Sequence, residues 1–227
     1  MRTRNNVFIW IMILLASHSL AQEVRLGMLP SLNLNKSLKN DWRLNLTIEG
    51  RNSLLKEQLE CSQGNNQEYI HTDYTLIAAK RVGFNKLLAA GVMWRYKENQ
   101  LILRYLQQFV LIKKYNSFRM AHRFALDQTE SQNAPTKFRI RYRATLELPL
   151  SGTSIDPKEW YLKINNEYLN SFQNKEQSLE MRVVPLVGYK FSEKSKLETG
   201  VDYRRNDFLS DDPHPTYWVS LKWYLIL

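Results

Sequence analysis

Residues 138–148 read Phe138-Arg139-Ile140-Arg141-Tyr142-Arg143-Ala144-Thr145-Leu146-Glu147-Leu148, and this stretch decides the fold. Every second side chain is apolar and nearly every one between is charged. That period of two belongs to a β-strand with one wet face and one apolar face. Its length matches what a tilted strand needs to cross a bilayer. Comparable alternations run over Trp42 to Arg51, Tyr69 to Lys80, Leu87 to Tyr96, Leu101 to Ile112, Phe118 to Gln128, Trp160 to Asn170, Glu180 to Phe191, Leu197 to Arg205 and Tyr217 to Leu227, which makes ten in all. A weaker one, Val24 to Leu34, contains Pro30, which suits an edge or a bulge better than a paired strand. Single-chain bacterial barrels normally have an even number of strands. The expectation is therefore an all-β protein, an antiparallel transmembrane outer-membrane β-barrel of about 10–12 strands.

The first residues predict export. Arg2 and Arg4 form a basic start, Val7 to Ala16 an apolar run, and Ser19-Leu20-Ala21 a small-x-small cleavage site. This pattern predicts a cleaved signal peptide over residues 1–21 and a single barrel domain over 22–227. No later stretch approaches the roughly 20 apolar residues of a spanning helix, so insertion must be by strands. Losing Arg2 and Arg4 lowers the formal charge from +10 to +8. Secretion makes nucleic acid a poor partner for that charge, and a barrel lumen a better place for it. The one cysteine, Cys61, lies in a polar loop with no internal disulfide partner.

Alternation does not say which face points inward. Three features turn the apolar face outward to lipid. Opposite charges share strands, as in Arg119, Arg123 and Asp127 or Glu198, Asp202 and Arg204, which suits pairing across a narrow lumen. Aromatics gather near strand ends, with Trp42, Trp160, Tyr189 and Trp223 at one rim and Trp94, Tyr96, Tyr168, Tyr203 and Tyr217 at the other. Bilayer interfaces select such girdles. Connections alternate in length, long at Ser53 to Glu68, Thr129 to Thr136 and Asn206 to Pro215, short at Val82 to Asn85 and Lys113 to Ser117, although Leu150 to Glu159 is long for its side. The long, outer loops are acidic and the periplasmic turns basic. An acidic outer rim is suited to divalent cations that bridge lipopolysaccharide phosphates; solvated loops of drifting sign explain it equally well.

The segments His122-Arg123-Phe124-Ala125-Leu126-Asp127-Gln128, Arg139 to Arg143 with Leu148-Pro149-Leu150, Asn166-Glu167-Tyr168, and Arg182 leading to Gly188-Tyr189 come in a characteristic order and spacing. Together they resemble the secreted barrel family catalogued as domain of unknown function 2490, over a span from Trp42-Arg43-Leu44 through Glu49-Gly50-Arg51 to the C-terminus. The resemblance implies an outer-membrane β-barrel of a Gram-negative bacterium, and brings no activity, cofactor or catalytic residue. Its implied partners are outer-membrane lipid, lipopolysaccharide and the barrel-assembly machinery. The chain ends Trp223-Tyr224-Leu225-Ile226-Leu227, without the terminal aromatic that assembly machinery often reads.

The inward parity collects the candidate site. Glu49, Arg51, Arg119, Arg123, Asp127, Arg139, Arg141, Arg143, Glu147, Glu167, Arg182, Asp202 and Arg204 form the predicted lumen ion-pair network, joined by Arg43, Asp73, Arg95, Arg104, Lys163, Glu180, Lys190, Glu198 and Lys222. Fourteen bases meet eight acids. Long arginines paired bidentately with carboxylates would fill and close a barrel of this size; a narrow anion-preferring pore or an anionic ligand site is the alternative. Enzymatic candidates are thin. Asp211, Asp212 and His214 share an outer loop, but Pro213 and Pro215 mark that segment as an ordinary turn; His122 takes the outward parity with no serine assignable to it; His71 and Asp73 could relay a proton. There is no metal-ligand spacing, phosphate-binding glycine loop or nucleophile elbow. The sequence points to a non-enzymatic, monomeric barrel without cofactor, with an outer-mouth lipid or peptide enzyme as the competing reading.

Overall fold

A computed structural model describes residues 25–56, 68–98, 100–132, 134–208 and 215–227. The predicted signal over 1–21, Cys61, and the acidic and histidine residues Asp211, Asp212 and His214 lie outside the described residues. Eleven strands are formed: β1 (Arg25–Ser37), β2 (Trp42–Lys56), β3 (Glu68–Gly83), β4 (Lys86–Lys97), β5 (Gln100–Lys114), β6 (Arg119–Ser131), β7 (Ala134–Pro149), β8 (Glu159–Gln173), β9 (Glu176–Ser192), β10 (Ser195–Arg205) and β11 (Pro215–Ile226). They close into one barrel in chain order, each strand beside its sequence neighbours.

The segment with Pro30 is a full member of the barrel, and it makes the count odd. In an up-and-down meander of eleven strands the first and last run the same way, so closure forces them to pair parallel. β1 pairs parallel with β11 from Arg25 opposite Thr216 to Asn35 opposite Ile226, while every other pair is antiparallel. The even count expected from bacterial barrels does not hold. Pro30, which lacks a donor, is accommodated locally: the β1–β2 pairing lapses at Leu29 and Pro30 and resumes in the same register at Ser31, and Gly50 lies against the proline ring. β1 therefore begins, and β11 ends, at opposite mouths. The connections after β1, β3, β5, β7 and β9 form one mouth, here the turn mouth; those after β2, β4, β6, β8 and β10 form the loop mouth.

Two hairpins show how local chemistry sets register. Asn40 and Asp41 both adopt positive φ (56° and 62°) between β1 and β2, as do Asn174 and Lys175 (47° and 70°) between β8 and β9. Two successive left-handed residues match the right-handed twist of the flanking strands.

The orientation of the faces follows the sequence reading. Ile140 and Leu126 point outward, each 54% exposed, while Asp127 between their neighbours is 3% exposed. Tyr74, Leu76, Trp94, Phe124, Ile164, Val187, Val201, Val219 and Leu221 continue the outward apolar surface. Aromatic clusters sit near both ends of it: Trp160 and Tyr189 rings are 4.8 Å apart toward the turn mouth, and Tyr203 and Tyr217 are 5.2 Å apart toward the loop mouth.

Glycine makes room for two of the aromatics that turn inward. Tyr161 of β8 lies across Gly188 of β9, where a Cβ would come within 2.2 Å of the ring. Trp218 of β11 covers Gly27 of β1 in the same way across the parallel seam. Leu29, Met93, Leu106, Leu169, Val184 and Leu186 are also buried inside, so the inner wall carries apolar patches between its charged groups.

Candidate functional site in the barrel lumen

The inward side chains of β6, β7 and β8 form the densest charge cluster because alternation places Arg139, Arg141, Arg143 and Glu147 on one face between strands bearing Asp127 and Glu167. Glu167 is almost completely buried and takes a bidentate pair from Arg143, whose Nη2 lies 2.5 Å and Nε 3.1 Å from its Oε2. Arg141, Arg123 and Arg182 stand 3.6, 3.8 and 4.0 Å from the same carboxylate. Asp127 accepts from Arg141 at 2.7 Å and has Arg139 at 3.1 Å, an ion pair by distance that lacks hydrogen-bond alignment. Arg119 and Lys163 flank Glu147 at 3.2 and 3.6 Å.

Near the turn mouth, Glu198 is the most heavily satisfied acid. It has no exposure, and accepts from Tyr161 Oη at 2.8 Å, Lys163 Nζ at 3.0 Å, Tyr224 Oη at 3.2 Å and Lys196 Nζ at 3.4 Å. Gly188 is what lets Tyr161 of β8 reach past β9 to this β10 carboxylate. Near the loop mouth, each acid takes its closest contacts from a single arginine. Arg95 forks onto Asp73 with two bonds of 2.7 Å, Arg204 onto Asp202 at 2.9 and 2.8 Å, and Arg182 onto Glu180.

Of the predicted network, eleven members join ion pairs. Glu49 and Arg51 reach the lumen wall but pair with no opposite charge within 4 Å among the described residues. Each ion pair within the network joins groups on one strand, on adjacent strands, or across one intervening strand; none among the described residues bridges the barrel. This corrects the expected pairing across the lumen. The reason is geometric: a carboxylate on the next strand lies within reach of an arginine fork, and the opposite wall lies a barrel diameter away. The arginines thus line the interior without filling it, and a cavity of about 740 Å³ runs from Asn206 and Thr216 near the loop mouth to Arg119 and Glu147 near the turn mouth. Ten arginines and two lysines border it against five carboxylates.

The remaining candidates fall as follows. His71 is buried with Nε2 3.8 Å from Asp73, at the edge of the charged wall. His122 faces outward, where Nδ1 meets Tyr142 Oη at 2.8 Å and the rings stack; its partner is a phenol, not a serine. No group of three or more His, Cys, Asp or Glu among the described residues could hold a metal ion. The interior members missed from the sequence were Tyr161, Lys196, Trp218 and Tyr224. Parity was the available signal for Trp218 and Tyr224, which share the even positions of β11 with Lys222.

A closed β-barrel with an apolar exterior and a cation-lined interior is thus the class of protein this chain forms. The family model described as "Protein of unknown function (DUF2490)" matches residues 26–214, and the chain belongs to that family. A search of the curated proteins finds no match.

Proposed function

We propose that the protein is a non-enzymatic β-barrel of the outer membrane of a Gram-negative bacterium, exported behind a signal over residues 1–21, whose lumen is a narrow anion-preferring passage. The observation that carries this reading is the reversed polarity of the barrel: apolar side chains such as Ile140 and Leu126 face out while Asp127 and Arg141 face in. A soluble barrel would hide the first set, because contiguous exposed apolar surface of this extent is rare outside interfaces and membranes. From Trp160 to Tyr168 on β8 the outward band spans about 26 Å along the strand at ~3.3 Å per residue, or about 20 Å after a tilt of ~40°. That suits the bacterial outer membrane, which is thinner than average. Among the described residues no helix is long and apolar enough to cross a membrane, so crossing rests on strands.

The excess of cations over carboxylates along a continuous cavity favours anions. The reading brings lipid and lipopolysaccharide as surroundings, the barrel-assembly machinery as a folding partner, and a monomer as the working unit. Planar-bilayer recording of the refolded full chain tests it. Anion-selective current is expected, with selectivity falling as the Debye length shortens from ~10 Å at 0.1 M salt to ~3 Å at 1 M. Absence of current at every salt concentration would refute the passage. Labelling of a cysteine at 140 by a water-soluble reagent, with one at 141 protected, would refute the membrane orientation.

A further inference from the structure

The loop-mouth end of the lumen holds more guanidinium groups than carboxylates to receive them. Arg51, Arg95, Arg104, Arg139, Arg182 and Arg204 come from six different strands, and the stagger of successive registers brings them to one level of the barrel. Arg51 lies among the charges of Arg204, Glu49, Arg95 and Arg182, and Arg104 among those of Arg139, Arg95, Asp127 and Arg141, so Arg95 is a neighbour common to both. Asp73, Asp127, Glu180 and Asp202 serve four of the six. Among the described residues no carboxylate pairs with Arg51 or Arg104 within 4 Å, and Glu49 and Asp127 act on them only from farther off, so two of the six forks are not spent on an acid.

Both free arginines are held in place. Arg104 is 9% exposed, with Nε donating to Thr129 Oγ1 at 2.8 Å and Nη1 against Met93 Sδ at 3.5 Å, and it borders the cavity. Arg51 has a buried Nε without a hydrogen-bond partner and lies over the Trp218 ring at 4.9 Å, with Arg204 on the same indole at 6.0 Å. Immobilised forks that are not spent on carboxylates are what recognises an oxyanion, because the planar donors match two oxygens at once and have little rotamer freedom left to lose.

We propose that this arginine girdle is a binding site for a small oxyanion carrying two negative charges, held by Arg51 and Arg104. Phosphate-type and dicarboxylate ligands share that chemistry. The inference rests on the anion-accessible lumen proposed above and adds a discrete, saturable site to it.

The test uses the refolded full chain in detergent at low ionic strength, titrated by calorimetry with inorganic phosphate, with succinate in a parallel arm and chloride as the monovalent control. Saturable binding of one dianion per chain is expected, and the stronger of the two arms identifies the source. Arg51→Gln and Arg104→Gln should each weaken it at least tenfold. Arg51→Lys and Arg104→Lys, which retain charge and guard against misfolding, should lose part of the affinity because the fork is gone. Lys113→Gln, which removes an exposed charge at the opposite mouth, should change it less than twofold. No saturable binding, or equal weakening by Lys113→Gln, would overturn the site. Dianion binding without conductance would leave the site standing and remove the passage, whereas anion current that phosphate does not saturate would do the reverse.

Discussion

The two ends of the lumen handle charge in opposite ways. Toward the turn mouth, one buried acid, Glu198, is shared by two lysines and two tyrosines. Toward the loop mouth, Arg95 and Arg204 each hold one carboxylate, and Arg51 and Arg104 pair with none among the described residues. The saturated end resembles a folded core made of polar parts, in which every partner is needed. The unsaturated end stores positive potential that the fold does not require, and surplus charge retained inside a protein is costly unless something external uses it. Stability is therefore concentrated at one end and ligand affinity at the other.

The sharpest way to break this contrast is to remove the acid of the saturated end. Glu198→Gln leaves the half-buried Lys163 and Lys196 beside a neutral amide, and should cost up to about 3–5 kcal/mol, the usual penalty for deleting one side of a buried ion pair, reduced by the Glu147 that Lys163 keeps at 3.6 Å. Urea unfolding of the refolded barrel in lipid vesicles would read this; a loss under 1 kcal/mol would mean the cluster is wetter than its burial indicates. Next in size is the exterior. Ile140→Arg places a charge in the outward band and should cost about 2–4 kcal/mol if that residue sits near the bilayer midplane, measured by the same unfolding curves, with no comparable loss in a soluble-barrel setting.

Gly188→Ala should cost about 1–3 kcal/mol by overpacking, because the new methyl would meet the Tyr161 ring at 2.2 Å. Pairing it with Tyr161→Ala should remove the clash term, and a double-mutant cycle showing strict additivity would deny the contact. The smallest effect is predicted at the unsaturated end. Arg51→Gln loses a cation–π contact of about 0.5–2 kcal/mol but relieves repulsion from Arg204, so stability should move by less than about 1 kcal/mol in either direction. A large loss there would show that Arg51 is structural and would erase the distinction between the ends.

Much of this arrangement was legible in the residues. The alternation in 138–148, repeated along the chain, carried the strands, and charge on one parity with aromatics on the other near strand ends carried the inside and outside. The inward set containing Arg123, Asp127, Arg143 and Glu167 was found because charge at period two has only one face to occupy. The eleventh strand was underrated because Pro30 argues locally against pairing, and a closed barrel absorbs one missing donor by interrupting a single ladder opposite Gly50.

What a linear pattern holds is parity and length, since each depends on neighbours along the chain. Whether eleven strands close in parallel, which acid each arginine meets, and how Tyr161 and Trp218 come to lie over Gly188 and Gly27 depend on registers between strands far apart in sequence. Those registers are settled jointly around the ring, because closing a barrel fixes the stagger of every strand at once. The same closure lines a cavity of about 740 Å³ with arginines: pairing partners lie within two strands, so ion pairs run along the wall, and the described residues put no carboxylate within 4 Å of Arg51 or Arg104.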